Sequence, residues 1–195
     1  MKYSEWDIQQ VLENHYKKSA RYCLSNMFVF NWESDIFVLQ KSSHYSYDIE
    51  IKISRSDFFN DFKKLEKHSV ISKGKMPYSS GRNADGSWHY EYRDHSFRPN
   101  KFYFCVPDGL ITKQEVPDYC GLMYIMDMGS WREMRIVKEA PFLHKNKLKY
   151  SSVLCDKCFY RWRDAVNTLR ISRKLHKELE TELTQLKQKY NEQKL

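Results

Sequence analysis

The sequence predicts an α/β domain in which helices flank a central mixed sheet, with a helical arm at the C-terminus. Three patterns carry this prediction. Apolar residues recur at helical spacing within residues 5–19. Residues 47–53 alternate strictly between polar and apolar side chains, which is typical of a strand. From about residue 151 the pattern is helical to the end of the chain.

The first 53 residues are predicted to form one helix and three strands. Ser4 is a suitable N-cap for the helix over 5–19, because its hydroxyl oxygen accepts from a free backbone N–H. Aromatic and β-branched residues indicate the strands, and a turn precedes the last of them. The predicted strands cover 26–32, 35–40 and 47–53.

The middle of the chain is predicted to form a helix over 55–67, a long loop over 69–99, and three further strands. The loop is punctuated by Gly, Pro and Ser and has no clear period. It also carries Arg and Lys beside Trp88, Tyr90 and Tyr92, so it is either a lid that stacks on unpaired bases or a decoration without function. The later strands are predicted over 101–106, 121–126 and 134–138.

The positive charge is concentrated near the C-terminus. The formal net charge is +8, and residues 145–195 contribute 13 basic and 6 acidic side chains to it. This basic stripe is either a surface that tracks a phosphate backbone or a solvated helix face. A sparse apolar stripe over the same helix is compatible with a coiled-coil arm, through which a homodimer or a protein partner is expected. The cations expected to contact nucleic acid there are Arg161, Arg163, Arg170, Arg173 and Lys174.

Composition excludes several classes of protein. Phe, Trp and Tyr together number 30 of 195 residues, which is too many for a disordered chain. No apolar run approaches the ~18 residues of a membrane span, and the first residues lack the apolar core of a signal peptide. Five cysteines are an odd number for a disulfide framework, so a reducing cytoplasmic location is expected.

The predicted strand 47–53 has two chemically different faces. Its apolar face must pack on a layer of helices, while the opposite face carries charges that are costly to bury unless they are paired or bound to a cation. Alternate residues share a face, so the two sets are Ile49, Ile51 and Ile53 on one side and Asp48, Glu50 and Lys52 on the other.

Asp35 opens the preceding strand, and a hairpin would lay it beside Glu50. Two carboxylates on neighbouring strands suit Mg²⁺ or Mn²⁺, and the backbone carbonyl of Ile51 offers a third oxygen. Lys52 would hold or deprotonate a water and stabilise charge on an attacked phosphate, with Glu13 of the first helix reaching the metal directly or through water. The alternative is an ordinary Glu–Lys pair on a half-exposed strand, because E-x-K alone is common.

The order of these residues resembles the PD-(D/E)XK nuclease superfamily. Within it, the chain looks most like the MmcB-like family, whose members are assigned to DNA repair largely by resemblance. The likeness covers roughly residues 5–165. The matching stretches are W-E-S-D at 32–35, Y-D-I-E-I-K-I-S-R-S-D-F at 47–58, D-F-K-K at 61–64, K-F-Y-F-C-V-P at 101–107, G-L-M at 121–123 and I-V-K-E-A-P at 136–141.

The resemblance implies a restriction-endonuclease-like αβββαβ core over 1–165, interrupted by the insertion 69–99, and a separate helix over 166–195. It gives Asp35 the place of the first strand acid, and Glu50 and Lys52 that of the E-x-K. It makes Glu13 the helix acid, and Lys63 or Lys64 the residue that approaches phosphate.

These observations predict a Mg²⁺- or Mn²⁺-dependent nuclease that acts on nucleic acid, DNA rather than RNA, in repair or in processing of mobile-element DNA. The alternatives are a non-catalytic module of the same fold that binds nucleic acid or a partner, and a scaffold that dimerises through residues 169–190.

Overall fold

The computed structural model describes residues 3–147 and 149–192. The chain divides into two units, Met1–Lys149 and Tyr150–Leu195. The second unit contains a single helix that continues across the predicted boundary at 165/166. Neither Gly nor Pro occurs within that helix, so nothing in the sequence interrupts it at that boundary.

Four helices and eight strands make up the described chain. The helices are α1 (Glu5–Tyr16), α2 (Arg55–Asp61), α3 (Leu65–Lys73) and α4 (Ser151–Glu192). The strands are β1 (Ala20–Met27), β2 (Ser34–Gln40), β3 (Ser46–Ile51), β4 (Lys75–Arg82), β5 (Trp88–Asp94), β6 (Lys101–Pro107), β7 (Gly121–Asp127) and β8 (Arg132–Lys138).

Six strands form the central sheet in the order β1-β2-β3-β6-β7-β8. Strands β3, β6 and β7 are parallel neighbours, and the remaining pairs are antiparallel. Alternate residues of the inner strands enter two separate apolar clusters, one with α1 and one with α2 and α3. The predicted mixed sheet with flanking helices and a C-terminal helix is therefore confirmed.

The first strand differs from its prediction. Strand β1 covers Ala20–Met27, whereas the expected strand at 26–32 lies mostly in the irregular connection to β2. Asn26 has a positive φ of 50°, and the aromatic residues that follow pack on one another, with Phe30 stacked on Trp32 at 5.3 Å between ring centroids. Phe30 and Trp32, which favoured a strand at 26–32, therefore pack against other rings and do not lie in a paired strand. Helix α1 likewise ends earlier than predicted, at Tyr16 rather than at residue 19.

The predicted helix at 55–67 is two helices. Helix α2 ends at Asp61, and two tight backbone bonds, Lys63 N–H to Asn60 O and Lys64 N–H to Asp61 O, turn the chain before α3. Helix α3 then ends at Gly74, which adopts a left-handed φ of +65°. The break means that Lys67 and His68 belong to a different helix from Asp61.

The long loop predicted for 69–99 is wrong. Its first residues complete α3, and most of the rest form the antiparallel β4–β5 hairpin, whose turn places Gly86 at a φ of +84°. The hairpin is mostly exposed and contains Gly, Pro and Ser, which made the region resemble a loop, although Trp88, Tyr90 and Tyr92 alternate with polar residues along β5 as strand residues do.

Among the helices of the described residues, none is both long enough and apolar enough to cross a membrane.

Candidate functional site

Strand β3 lies in the middle of the sheet and is buried on both faces. Ile49 and Ile51 pack in the apolar cluster that includes α1. On the other face, Glu50 and Lys52 are only 3% and 5% exposed. The sequence predicted this division correctly for the residues of β3, since alternate residues of a strand point to opposite faces. Ile53, which was also expected on the apolar face, lies beyond the end of β3 and is 42% exposed.

Glu50 is surrounded by ammonium groups. Lys52 Nζ lies 2.8 Å from Glu50 Oε1, and Lys67 Nζ contacts the second oxygen, Oε2. Lys64 Nζ is 3.4 Å from Oε1. Each oxygen of this buried carboxylate therefore has a cationic partner.

A second buried carboxylate, Asp61, lies against the same lysines. Its oxygens are 2.8 Å from Lys64, 3.2 Å from Lys52 and 3.4 Å from Lys67, and 2.9 Å from His68 Nε2. Burial alone would raise the pKa of Asp61, but the His68 hydrogen bond and the lysine charges hold it far below its ordinary value. Glu50, Lys52, Asp61, Lys64 and Lys67 are called the ionic cluster below.

Sequence reasoning did not identify Asp61, Lys67 or His68 as site residues. Lys67 and His68 are buried, and His68 Nδ1 lies 3.0 Å from the Tyr119 hydroxyl. Charged residues are frequent throughout 55–73, so their presence there does not single out these three. The break between α2 and α3 separates Asp61 from Lys67 and His68, so a single predicted helix could not show that they meet.

The structure brings Asp35 close to Glu50. The Ile51 N–H donates to Asp35 Oδ2 at 2.7 Å. This hydrogen bond joins Asp35 of β2 to β3, the strand that carries Glu50. Burial raises the pKa of Asp35 to about 7, and the negative charge of Glu50 adds to this rise. The charge of Lys52 lowers the pKa of Asp35, but by less than burial and Glu50 raise it.

Glu13 is not among the charged groups that most affect the pKa of Asp35. Its carboxylate accepts from Gln10 Nε2 at 3.3 Å. The acid of α1 that raises the pKa of Asp35 is Glu5, while Gln9 Nε2 lies 3.4 Å from the Asp35 carbonyl oxygen. Because a helix rises 1.5 Å per residue, Glu13 lies about 12 Å further along α1 than Glu5. Glu13 as the helix acid stays a prediction, and Glu5 is the acid of α1 whose charge acts on Asp35.

The donors around Asp35 suit a hard divalent cation. Two carboxylates and the Ile51 carbonyl are oxygen ligands, and Mg²⁺ is commonly held by one or two carboxylates while it keeps several waters. The described residues contain no group of three or more His, Cys, Asp and Glu side chains arranged to hold a metal. Asp35, Glu50 and the Ile51 carbonyl therefore offer the type of oxygen ligand that such a cation takes, although both Glu50 oxygens contact lysines and the described side chains alone form no metal site.

The remaining predicted contacts with nucleic acid lie on two different elements. Lys64 belongs to the ionic cluster, while Lys63 is exposed beside it. The five cations of the C-terminal stripe are exposed on α4, as are the apolar side chains of the expected coiled-coil stripe. These residues are Arg161, Arg163, Arg170, Arg173 and Lys174, and the apolar ones are Ile171, Leu175, Leu179, Leu183, Leu186 and Tyr190.

Comparison with known proteins gives a fold but no function. The chain matches no model of a protein family and no curated protein. It is similar to a solved structure, the SPO1766 protein of unknown function from Silicibacter pomeroyi, at 16% identity and a TM-score of 0.52. The match covers 85% of this chain and 90% of that one, and at this identity the similarity concerns the fold alone.

Proposed function

We propose that this protein is a Mg²⁺- or Mn²⁺-dependent nuclease that cleaves phosphodiester bonds, in DNA in preference to RNA. The observation that carries the proposal is the convergence of Asp35, Glu50 and Lys52 at one point of the β2–β3 pair. The order α1, β1, β2, β3, α2 and then β6 parallel to β3 supports it, because a PD-(D/E)XK nuclease has an αβββαβ core.

Lys52 would act as a fixed positive charge in this reaction. Burial lowers the pKa of Lys52, but Glu50, Asp61 and Asp57 raise it above its ordinary value. The side chain is therefore protonated at neutral pH, so it donates hydrogen bonds to the attacking water and to the phosphate oxygens instead of removing a proton. Of the two roles expected for Lys52, the geometry favours charge stabilisation.

Asp35, Glu50 and the Ile51 carbonyl would hold the metal ion. When bound, such an ion polarises the phosphate and lowers the pKa of a coordinated water. Lys64 and Lys67 share the two carboxylates with Lys52, so they hold Glu50 and Asp61 in position. The burial of Glu50 keeps most water away from the reacting groups and strengthens their charge interactions.

The proposal is tested by cleavage of labelled single-stranded DNA, duplex DNA and RNA in Mg²⁺, Mn²⁺ or EDTA. We expect wild type to cleave DNA with either metal, and the Asp35→Asn, Glu50→Gln and Lys52→Met variants to be at least about a hundredfold slower. Glu139→Gln is the matched control, because Glu139 forms a Lys101 ion pair of 3.1 Å outside the ionic cluster. Cleavage in EDTA, or variants as active as wild type, would contradict the proposal.

A second function is a non-catalytic module of the same fold that binds nucleic acid. The observation that favours it is the pairing of both Glu50 oxygens with lysines, which neutralises the carboxylate without a metal. This function predicts that wild type and Glu50→Gln bind DNA with equal affinity and that neither cleaves it in Mg²⁺ or Mn²⁺.

A further inference from the structure

A groove of about 670 Å³ lies between α3 and the β4–β5 hairpin. Cations outnumber acids along it, since it is lined by four lysines and a single glutamate. The charged lining residues are Lys63, Lys64, Lys67, Lys73 and Glu66. A polyanion is the ligand that matches this charge.

One end of the groove meets the ionic cluster. Lys64 and Lys67 line the groove, and their ammonium groups also contact the buried carboxylate of Glu50. At the start of α3, the N-cap residue Lys64 makes no side-chain hydrogen bond to the first turn of the helix. A phosphate in the groove would therefore meet lysine ammonium groups and the positive end of the α3 dipole.

The hairpin supplies an aromatic wall. Trp88, Tyr90 and Tyr92 alternate along β5 and so share one face, and Tyr90 and Tyr92 line the groove. These three side chains are 54%, 49% and 55% exposed, so packing within the fold does not account for them. Alternate residues of a strand are about 7 Å apart, roughly twice the 3.4 Å rise of successive bases.

We infer that this groove binds a single-stranded stretch of nucleic acid, whose bases stack on Tyr90 and Tyr92 and whose phosphates contact Lys63, Lys64 and Lys73. Aromatic side chains stack on base faces that are open only in unpaired strands, and lysines follow the backbone without reading sequence. The inference rests on the proposed function for its biological role, because it makes an unpaired strand the substrate brought to the ionic cluster.

The test measures binding alone, by fluorescence anisotropy of a labelled oligo-dT and of a blunt duplex of equal length, in EDTA. We expect tighter binding of oligo-dT than of duplex. The Tyr90→Ala/Tyr92→Ala variant should weaken oligo-dT binding at least about tenfold, since two stacked bases together contribute that much or more. The Tyr90→Phe/Tyr92→Phe variant keeps both rings and should bind within about threefold of wild type.

Tyr78→Ala is the matched control, because Tyr78 belongs to the same hairpin but bonds to Glu91 on the other face. Equal binding by wild type and the double alanine variant would overturn the inference, as would a preference for duplex. Because EDTA prevents metal-dependent cleavage, the two proposals fail separately. Stacking-dependent binding without cleavage in Mg²⁺ refutes only the nuclease, and cleavage that both alanines leave unchanged refutes only the groove.

Discussion

The two faces of β3 are equally buried and chemically opposite. Ile49 and Ile51 fill an apolar cluster on one side, while Asp48, Glu50 and Lys52 lie within the protein on the other. Apolar burial stabilises a fold directly, by about 25 cal/mol per Å² of area removed from water. Charged groups give up their hydration on burial, and their mutual attraction often only offsets that loss.

This difference indicates that the charged face is not needed for stability alone. Apolar residues of similar volume often replace a buried ion pair with no loss of stability, so Glu50 and Lys52 are poorly explained as structural devices. Once such a cluster exists, however, each charge depends on its partners. Three properties can therefore be tested: how strongly the buried charges depend on one another, the protonation of Asp35, and the independence of the two faces of β3.

Removal of Asp61 is expected to have the largest effect. Asp61→Ala would leave Lys52 and Lys67 buried with fewer partners and would remove the His68 hydrogen bond. We expect the free energy of unfolding to fall by about 3–5 kcal/mol, measured by urea denaturation at neutral pH.

Asp57→Ala is the matched control for Asp61→Ala. Asp57 also lies on α2 and approaches Lys52, but at 3.7 Å and with its side chain 48% exposed. An exposed ion pair contributes little, so this variant should lose about 1 kcal/mol or less. Similar losses in the two variants would contradict the view that burial makes the ionic cluster costly to break.

Only part of the charged face could be predicted from the sequence. The alternation of 47–53 was enough to separate Ile49 and Ile51 from Glu50 and Lys52, because it depends only on local strand geometry. Lys67 and His68 were not accessible in this way, since their positions depend on the turn between α2 and α3. The failure at the hairpin has a different origin, because β5 does alternate, with Trp88, Tyr90 and Tyr92 between polar residues, but the surrounding Gly, Pro and Ser were interpreted as a loop.

The first helix illustrates a second limit, because the acid of α1 whose charge acts on Asp35 is Glu5, whereas the sequence led to Glu13. Helical periodicity gives the face on which a residue lies, but it does not say which turn of α1 lies over the start of β2. That register is set by the packing of α1 on the sheet, where Gln9 reaches both Asn26, at 2.7 Å, and the Asp35 carbonyl oxygen.

Asp35 predicts a pH dependence of stability in the metal-free protein. Its pKa is about 7 in the folded protein and 3.8 for the ordinary group, so the folded state binds the proton more tightly than the unfolded chain. The resulting stabilisation is complete below pH 4 and is lost as the pH rises through 7. Between pH 5 and pH 8 in EDTA, wild type should lose about 2–3 kcal/mol relative to Asp35→Asn.

Urea denaturation of both proteins at four pH values measures this difference. The Asp35→Asn variant is the reference for wild type at each pH, since asparagine keeps the size of the side chain and cannot ionise in this range. A constant difference from pH 5 to pH 8 would mean that Asp35 is ionised throughout, and that the charge of Glu50 does not act on it.

Ile51→Val is expected to have the smallest effect and tests whether the two faces of β3 are independent. The substitution removes one methylene group from the apolar cluster, which should cost about 0.5–1.5 kcal/mol of unfolding free energy. It retains the backbone carbonyl proposed as a metal ligand and the N–H that donates to Asp35, so cleavage of DNA in Mg²⁺ should match wild type. Glu50→Gln, one residue away, should show the opposite pattern in cleavage. Loss of cleavage by Ile51→Val while the protein remains folded would contradict this independence. It would mean that side chains of the apolar face control the geometry of Glu50 and Lys52 on the charged face.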